Sequence, residues 1–483
     1  MLNKIAIVRV LSVLLMIIGG AIWSGLPFSL YFGDGDHNAL LLSGLISAGL
    51  GAAGFLSVRK LGRAQVRKRE GYLIVAAGWV VMVLAGMLPY LLSGVIPGLA
   101  DAFFETMSGM TTTGASVLTD IEIQPKGILY WRSLTQWIGG MGIIVLTVAI
   151  FPLLGIGGIE LFVAEAPGPT SDKLHPRISE TAKRLWLIYV GLTALLCIIL
   201  WIEGMNFYEA VNHALTTMAT GGFSTRNSSM AAFGPTIQYT VIFFMLLAGT
   251  NYTVLYLSLK RRWSEVWQSE ELKAYLTIIG LLVVGITAGV HATGKFPWEQ
   301  SFRDSLFQII SLITTTGFVS ADYTQYSNAL TFVFFVLLFM GACAGSTSGG
   351  IKLVRHLVFF KNSGLEFRRL LHPSAIVPLR MNGEVVRGRV ITHVYTFLLL
   401  YLFIFVIGTI VLSLLGLDFE TALGAMATSL GNVGPGIGDV GPVDNFAWLS
   451  SPIKLFLSFV MLLGRLELFT ILVLFAPYFW RSN

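Results

Sequence analysis

Apolar runs separated by short polar segments recur along almost the whole chain, and a helix needs about 20 such residues to cross a bilayer. The first two runs are Ile5 to Tyr31 and Ala39 to Val58, parted by the polar turn Gly33-Asp34-Gly35-Asp36. Four pairs follow: Gly71 to Ile96 with Ile128 to Leu154, Arg184 to Ile202 with Ile237 to Leu259, Leu272 to Val290 with Leu330 to Phe360, and Val390 to Leu415 with Ile453 to Phe479. Two leading spans and four paired units make ten spans. Inside each unit lies a further apolar segment of roughly a dozen residues, too short to cross and of the length expected for a re-entrant half-helix.

These short segments end alike. Four windows of equal length finish on glycine: Ala102 to Gly114, Ala210 to Gly222, Ser305 to Gly317 and Ala422 to Gly434. An acid stands before or at the start of each (Asp101, Glu209, Asp304, Glu420), where it would complement the positive end of a helix dipole. A single Thr/Gly cluster reads as an ordinary break between helices; four in matching places suit a membrane protein built from internal copies. Irregular backbone survives at membrane depth only when buried in protein or lining water, so four such loops imply one central aqueous path. Carbonyl rings suit a dehydrated monovalent cation, and glycine allows the backbone to aim them.

Composition agrees. Hydrophobic residues make up 55% of the chain and charged ones 12%, with a mean hydropathy of +0.75, which excludes a soluble multidomain protein. The net charge of +6 does not point to nucleic acid, because the bases sit in short loops between spans. They are Arg59, Lys60, Arg63, Arg67, Lys68 and Arg69; then Lys173, Arg177, Lys183 and Arg184; then Lys260 to Arg262; then Lys361, Arg368, Arg369, Arg380, Arg387 and Arg389. All fall on one side, which places both termini in the cytoplasm and the glycine loops opposite. The N-terminus resembles a signal peptide, but its run is long and lacks a small-residue cleavage site, so it reads as a retained helix. Cys197 and Cys343 lie in apolar stretches and support neither a disulfide framework nor a thiolate metal site.

These loops, together with Gln136-Trp137-Ile138-Gly139-Gly140-Met141-Gly142, the run Gly341 to Gly350, and Gly464-Arg465-Leu466-Glu467, resemble the bacterial Trk-type potassium uptake subunits TrkH and TrkG. That superfamily also holds KtrB and the plant HKT proteins, and the two leading spans favour the TrkH type over KtrB. The resemblance implies an all-α membrane protein with four pseudo-equivalent units around one pore and a glycine-bearing filter loop in each. Its potassium-binding filter residues would be Thr111, Thr112, Thr113 and Gly114; Thr220, Gly221 and Gly222; Thr315, Thr316 and Gly317; and Asn432, Val433 and Gly434. It further implies a homodimer in the bacterial inner membrane and a cytosolic nucleotide-binding TrkA-like regulator, nucleotide binding there and not on this chain. Glycine in all four filters resembles potassium-selective members; sodium-selective HKT proteins carry serine in the first. Gly221 departs from threonine in the second loop, and Asn432-Val433 followed by Pro435 departs further in the fourth, so symmetry is expected to be approximate.

Units run over residues 71–180, 181–270, 271–386 and 387–483, after leading helices in 1–70. In the third, Gly345, Ser346, Thr347, Ser348, Gly349 and Gly350 read either as close helix packing or as an unwound stretch, given their poor helix propensity; the resemblance implies a gating loop. Arg465 is an intramembrane charge, a functional position by default, and Glu467 two residues on would not face it along a helix. The resemblance puts Arg465 beneath the filter. Gly436-Ile437-Gly438-Asp439 matches an intramembrane aspartyl protease motif, but no span supplies the second aspartate such a pair needs. Gly289 to Lys295 looks like a phosphate loop with Phe296 in place of the metal-binding hydroxyl. The histidines lack ligand spacing, and His213 is expected to bond locally. The basic segment Arg355 to Arg389 reads as topology signal and lipid-headgroup contact. A gated potassium pore, an ion-coupled potassium symporter and, remotely, a membrane protease are the competing functions; no enzyme activity or bound cofactor is expected.

Overall fold

The computed structural model describes residues 2–61, 68–145, 178–375 and 377–481. The tail of the span expected to reach Leu154, and the loop bases Arg63, Arg67, Lys173 and Arg177, lie outside them. The fold is that of an all-α, multi-pass membrane protein with two leading helices and four repeated units. Six described helices are long and apolar enough to cross a membrane: Lys4–Phe32, His37–Val58, Arg69–Ser93, Lys183–Ile202, Glu270–Ala292 and Gly388–Leu414. They are the two leading helices and the first helix of every unit.

In the second, third and fourth units the second helices are not the continuous spans their hydropathy suggests, while in the first Lys126–Val145 is one helix as far as the described residues run. Pro235–Ala248 turns by 103° into Tyr252–Leu259, and Ser451–Arg465 turns by 110° into Phe469–Phe475. In the third unit Asn328–Leu337 stops and helix resumes only at Leu353–Leu371. Single spans over Ile237 to Leu259, Leu330 to Phe360 and Ile453 to Phe479 are thereby corrected, and the two bent pairs bring the described spans to at most eight. Apolar runs specify burial and not straightness. The first break is set by Asn251, whose side chain accepts the Thr253 N–H and caps the new helix. The last is set by Glu467 and Leu468, both at positive φ.

Four half-helices appear where expected: Leu99–Met110, Phe207–Met218, Trp298–Ile313 and Phe419–Gly431. Asn206 and Asp418 cap the second and fourth by accepting from the Glu209 and Thr421 N–H groups. Hydrogen bonds from the Thr421 side chain and N–H hold the Asp418 carboxyl below its ordinary range. Asp101, Glu209 and Glu420 occupy first turns, whereas the third half-helix begins so early that Glu299 takes that place. Asp304 sits more than a turn inside, a correction to its expected role. Arg380–Met381 and Glu384–Val385 pair antiparallel around Asn382-Gly383, both at positive φ, the dipeptide that a tight hairpin favours.

Each neighbouring pair of units is joined by a cationic side chain. Arg132 bonds Glu105 at 2.7 Å and the Ser224 carbonyl at 3.1 Å, with its guanidinium 3.5 Å from the centre of the Phe223 ring. Arg303 donates to Gln238, Arg355 pairs with Glu467, and Lys454 reaches Asp101 at 2.6 Å. The first of these is fully buried on both sides. Removing one partner of a buried pair strands the other charge, at a cost of about 3–5 kcal/mol. Arg132→Met is therefore expected to lose about that much in denaturation of the purified protein, with Arg132→Met/Glu105→Met recovering most of it.

Candidate ion pathway

Each half-helix ends in the same backbone turn. The N–H groups of Thr113, Gly221, Thr316 and Val433 reach back to the carbonyls of Ser108, Thr216, Ser311 and Thr428 at 2.8 to 3.0 Å. This is the long bond of a Schellman cap, which needs a left-handed residue one position earlier. Those residues are Thr112, Thr220, Thr315 and Asn432, at φ 54, 53, 54 and 53°. Left-handed threonine is costly, by about 1–3 kcal/mol per residue, and is retained where surrounding structure over-determines it. Two positions later comes a second left-handed residue, the glycine: Gly114, Gly222, Gly317 and Gly434, at φ 85, 79, 75 and 100°.

The four turns close into a ring. A Cβ added to Gly114 would come within 3.0 Å of the Gly221 carbonyl oxygen; on Gly222 it would meet Thr316 O, on Gly317 Val433 O, and on Gly434 Thr113 O. Units one, two, three and four thus touch in cyclic order, glycine against the peptide before the next glycine. The fourth loop shares this geometry: Asn432 takes the left-handed position that asparagine tolerates, and its side chain donates to Thr113 Oγ1 at 3.0 Å and the Met461 carbonyl at 2.9 Å. Its sequence departs, but its backbone does not. Gly221 is likewise explained, because the Gln136 side chain occupies the space a threonine side chain would take, donating to the Gly221 carbonyl and accepting the Phe223 N–H at 3.0 Å.

The exits of three windows are tethered by the window's fourth residue. Glu105 accepts from Ser116 Oγ and the Val117 N–H, His213 Nε2 lies 2.9 Å from Ser224 Oγ, and Gln308 donates to the Ala321 carbonyl at 2.9 Å. The fourth window has Ala425 there and holds its exit through Gly424, pressed against the Ile437 backbone. His213 Nδ1 lies 2.8 Å from the Glu209 carbonyl, so both ring nitrogens are engaged locally. Among the described residues no three His, Cys, Asp or Glu side chains gather to hold a metal ion.

Against the C-terminal ends of the half-helices lies the stretch between Leu337 and Leu353. Thr347 Oγ1 donates to the Met218 carbonyl at 3.1 Å and accepts from Thr220 at 3.3 Å, and the Gly349 N–H donates to Thr315 Oγ1 at 2.6 Å. Gly349 also abuts Gly431 O and Asn432. Arg465, 5% exposed, donates to the Thr347 carbonyl at 2.8 Å and to the Gly139 carbonyl at 2.9 Å. The loop thus touches units two and four as well as its own, and Arg465 links it to the first. Gly345 to Gly350 is unwound as its propensity suggests, and the predicted filter residues, this loop and Arg465 form one contiguous assembly. Glu467 does not face Arg465 along a helix, since the helix ends at Arg465; it meets Arg355 instead. Gln136 was visible as part of a motif, but its support of the second loop was not, because only the fold brings them together.

Outside the assembly, Asp439 is exposed and its N–H is held by Thr421. Gly289 to Ala292 is helix, not a phosphate loop, and the Lys295 ammonium donates to the Gln325 carbonyl.

A family described as a cation transport protein, TrkH, matches residues 44–482. The chain is 38% identical over 486 residues to the Trk system potassium uptake protein TrkH of Escherichia coli (strain K12), covering 99% of each. It is 34% identical over 439 residues, 90% of each, to the Trk system potassium uptake protein TrkG of the same organism. The crystal structure of the potassium transporter TrkH from Vibrio parahaemolyticus matches with a TM-score of 0.89 at 34% identity, covering 99% of this chain and 100% of that one. With a shared fold and a family match over nearly its whole length, the chain belongs to the TrkH family of cation transport proteins.

Proposed function

We propose that the chain is the potassium-conducting subunit of an uptake system in the bacterial inner membrane, a gated pore and not an enzyme. The observation that carries this reading is the ring of four identical turns, in which paired left-handed residues bring the backbones of all four units together around one axis. Backbone and threonine oxygens there replace the hydration shell of a monovalent cation. Uptake is driven by the membrane potential, worth about 2.3 kcal/mol per charge per 100 mV. An ion-coupled symporter would more typically bind its coupling ion between inverted broken helices with ionisable residues at the midplane, whereas here the loops repeat in one orientation.

In this reading the loop from Gly345 to Gly350 blocks the inner side of the filter, and Arg465 adds a cation barrier. The chain works as a homodimer, with both termini in the cytoplasm. A TrkA-like subunit that binds nucleotide docks on its cytoplasmic segments and controls the gate, and the basic stretch Arg355 to Arg389 also meets lipid headgroups.

Flux measured in liposomes under potassium or sodium gradients tests the filter. Wild type is expected to pass potassium over sodium, and Gly114→Ser, whose Cβ collides with the second loop at a left-handed φ, to reduce that preference on the order of tenfold, about 1.4 kcal/mol. Equal potassium and sodium flux in wild type defeats the proposal. In the same assay, deletion of Gly345 to Gly350 and, separately, Arg465→Ala should raise regulator-free potassium flux; unchanged flux in both removes the gate from the reading.

A further inference from the structure

One carboxylate oxygen grips both ends of the unwound loop. Glu271 Oε1 accepts the Ala344 N–H at 2.7 Å, just before Gly345, and the Val354 N–H at 3.1 Å, just inside the helix that follows. Buried peptide N–H groups must find acceptors, and here two that no helix or strand serves share a single one. Glu271 lies in the first turn of Glu270–Ala292, a helix whose start is itself held by the Arg380 to Val385 hairpin. The Glu270 N–H donates to Asn382 Oδ1 at 2.8 Å, at the tip of that hairpin. Lys361, on the helix leaving the loop, pairs with the Glu270 carboxylate and donates to the Arg380 carbonyl at 3.3 Å. Hairpin, helix start and loop ends therefore form one chain of direct contacts.

Resting on the reading of this loop as the gate, we infer that Glu271 is a positioning residue that clamps the gating loop shut, and that the Asn382 turn sets the clamp. Because both loop ends share one acceptor, a small displacement of the helix start releases them together, giving the loop two discrete arrangements instead of a gradual loosening. A partner that moves the hairpin opens the loop without touching it. Lys352 adds a local restraint through the Ser348 carbonyl and hydroxyl, but it sits on the loop's own segment and transmits nothing from outside.

Cys343, buried at the loop's start with its N–H on the Gly249 carbonyl, supplies a probe independent of transport. In a full-length Cys197→Ser background reconstituted in liposomes, alkylation of Cys343 by a water-soluble maleimide and potassium flux are measured side by side. Glu271→Ala is expected to label about tenfold faster than the parent, as befits loss of an acceptor shared by two buried donors, and to conduct more. Glu271→Gln, which keeps an Oε1 acceptor, should stay near the parent, and Asn382→Ala should fall between. Parental labelling in Glu271→Ala overturns the inference, as does Glu271→Gln labelling as fast as Glu271→Ala. If Glu271→Ala does not assemble, Asn382→Ala decides, and parental labelling there overturns it. Faster labelling with unchanged flux keeps the clamp and refutes the gate.

Discussion

Everything in this protein depends on one backbone constraint: each half-helix must end in a left-handed residue and, two positions later, in a left-handed glycine pressed against the neighbouring loop. The first turn redirects the chain out of the helix. The second lets four chains approach with no side chain between them. A Cβ at any of the four glycines would meet a carbonyl oxygen of the next unit closer than real Cβ atoms come, so a side chain there forces the neighbouring loop to shift. Three threonines held left-handed are not stable by themselves, and the rest of the architecture holds them.

That holding is done by polar groups in an apolar setting. Exit strands are tied by Glu105, His213 and Gln308 from matching places on three half-helices. Around the periphery Arg132, Arg303, Arg355 and Lys454 each bond to a neighbouring unit or to its bent helix. A single chain has no identical interfaces to rely on, so each junction is solved differently. The fourth unit shows this best: Asn432 replaces threonine and uses its amide to bond both the first unit and its own second helix.

The same economy shapes the loop beside the ring. A loop without helix hydrogen bonds cannot stand at membrane depth unless its polar groups are satisfied, and here the ring itself satisfies two of them through Thr220 and Thr315. Ring and loop are thus a single bonded unit. Any movement of the loop unmakes bonds to residues in the left-handed positions, which couples the loop's position to the shape of the ring.

Much of this was legible in the residues. Hydropathy marked the leading helices and the first helix of each unit, because burial in lipid demands continuous apolar runs. Window length and final glycine marked the half-helices and their turns, since positive φ at an extended approach admits little else. The Gly/Ser/Thr run marked the unwound loop. The breaks in the second helices were hidden, because an apolar run is equally apolar bent, and Asp304 misled because only the cap fixes where a helix begins. The hairpin at Asn382-Gly383 carried a readable signal that the surrounding charge obscured. Only the tertiary structure decided the cyclic order of the ring, the role of Gln136 in replacing a missing threonine, the pairing of Arg355 with Glu467, and the grip of Glu271 on both ends of the loop. Each joins residues far apart in sequence, and local pattern reports the period of an element, not which distant group will meet it.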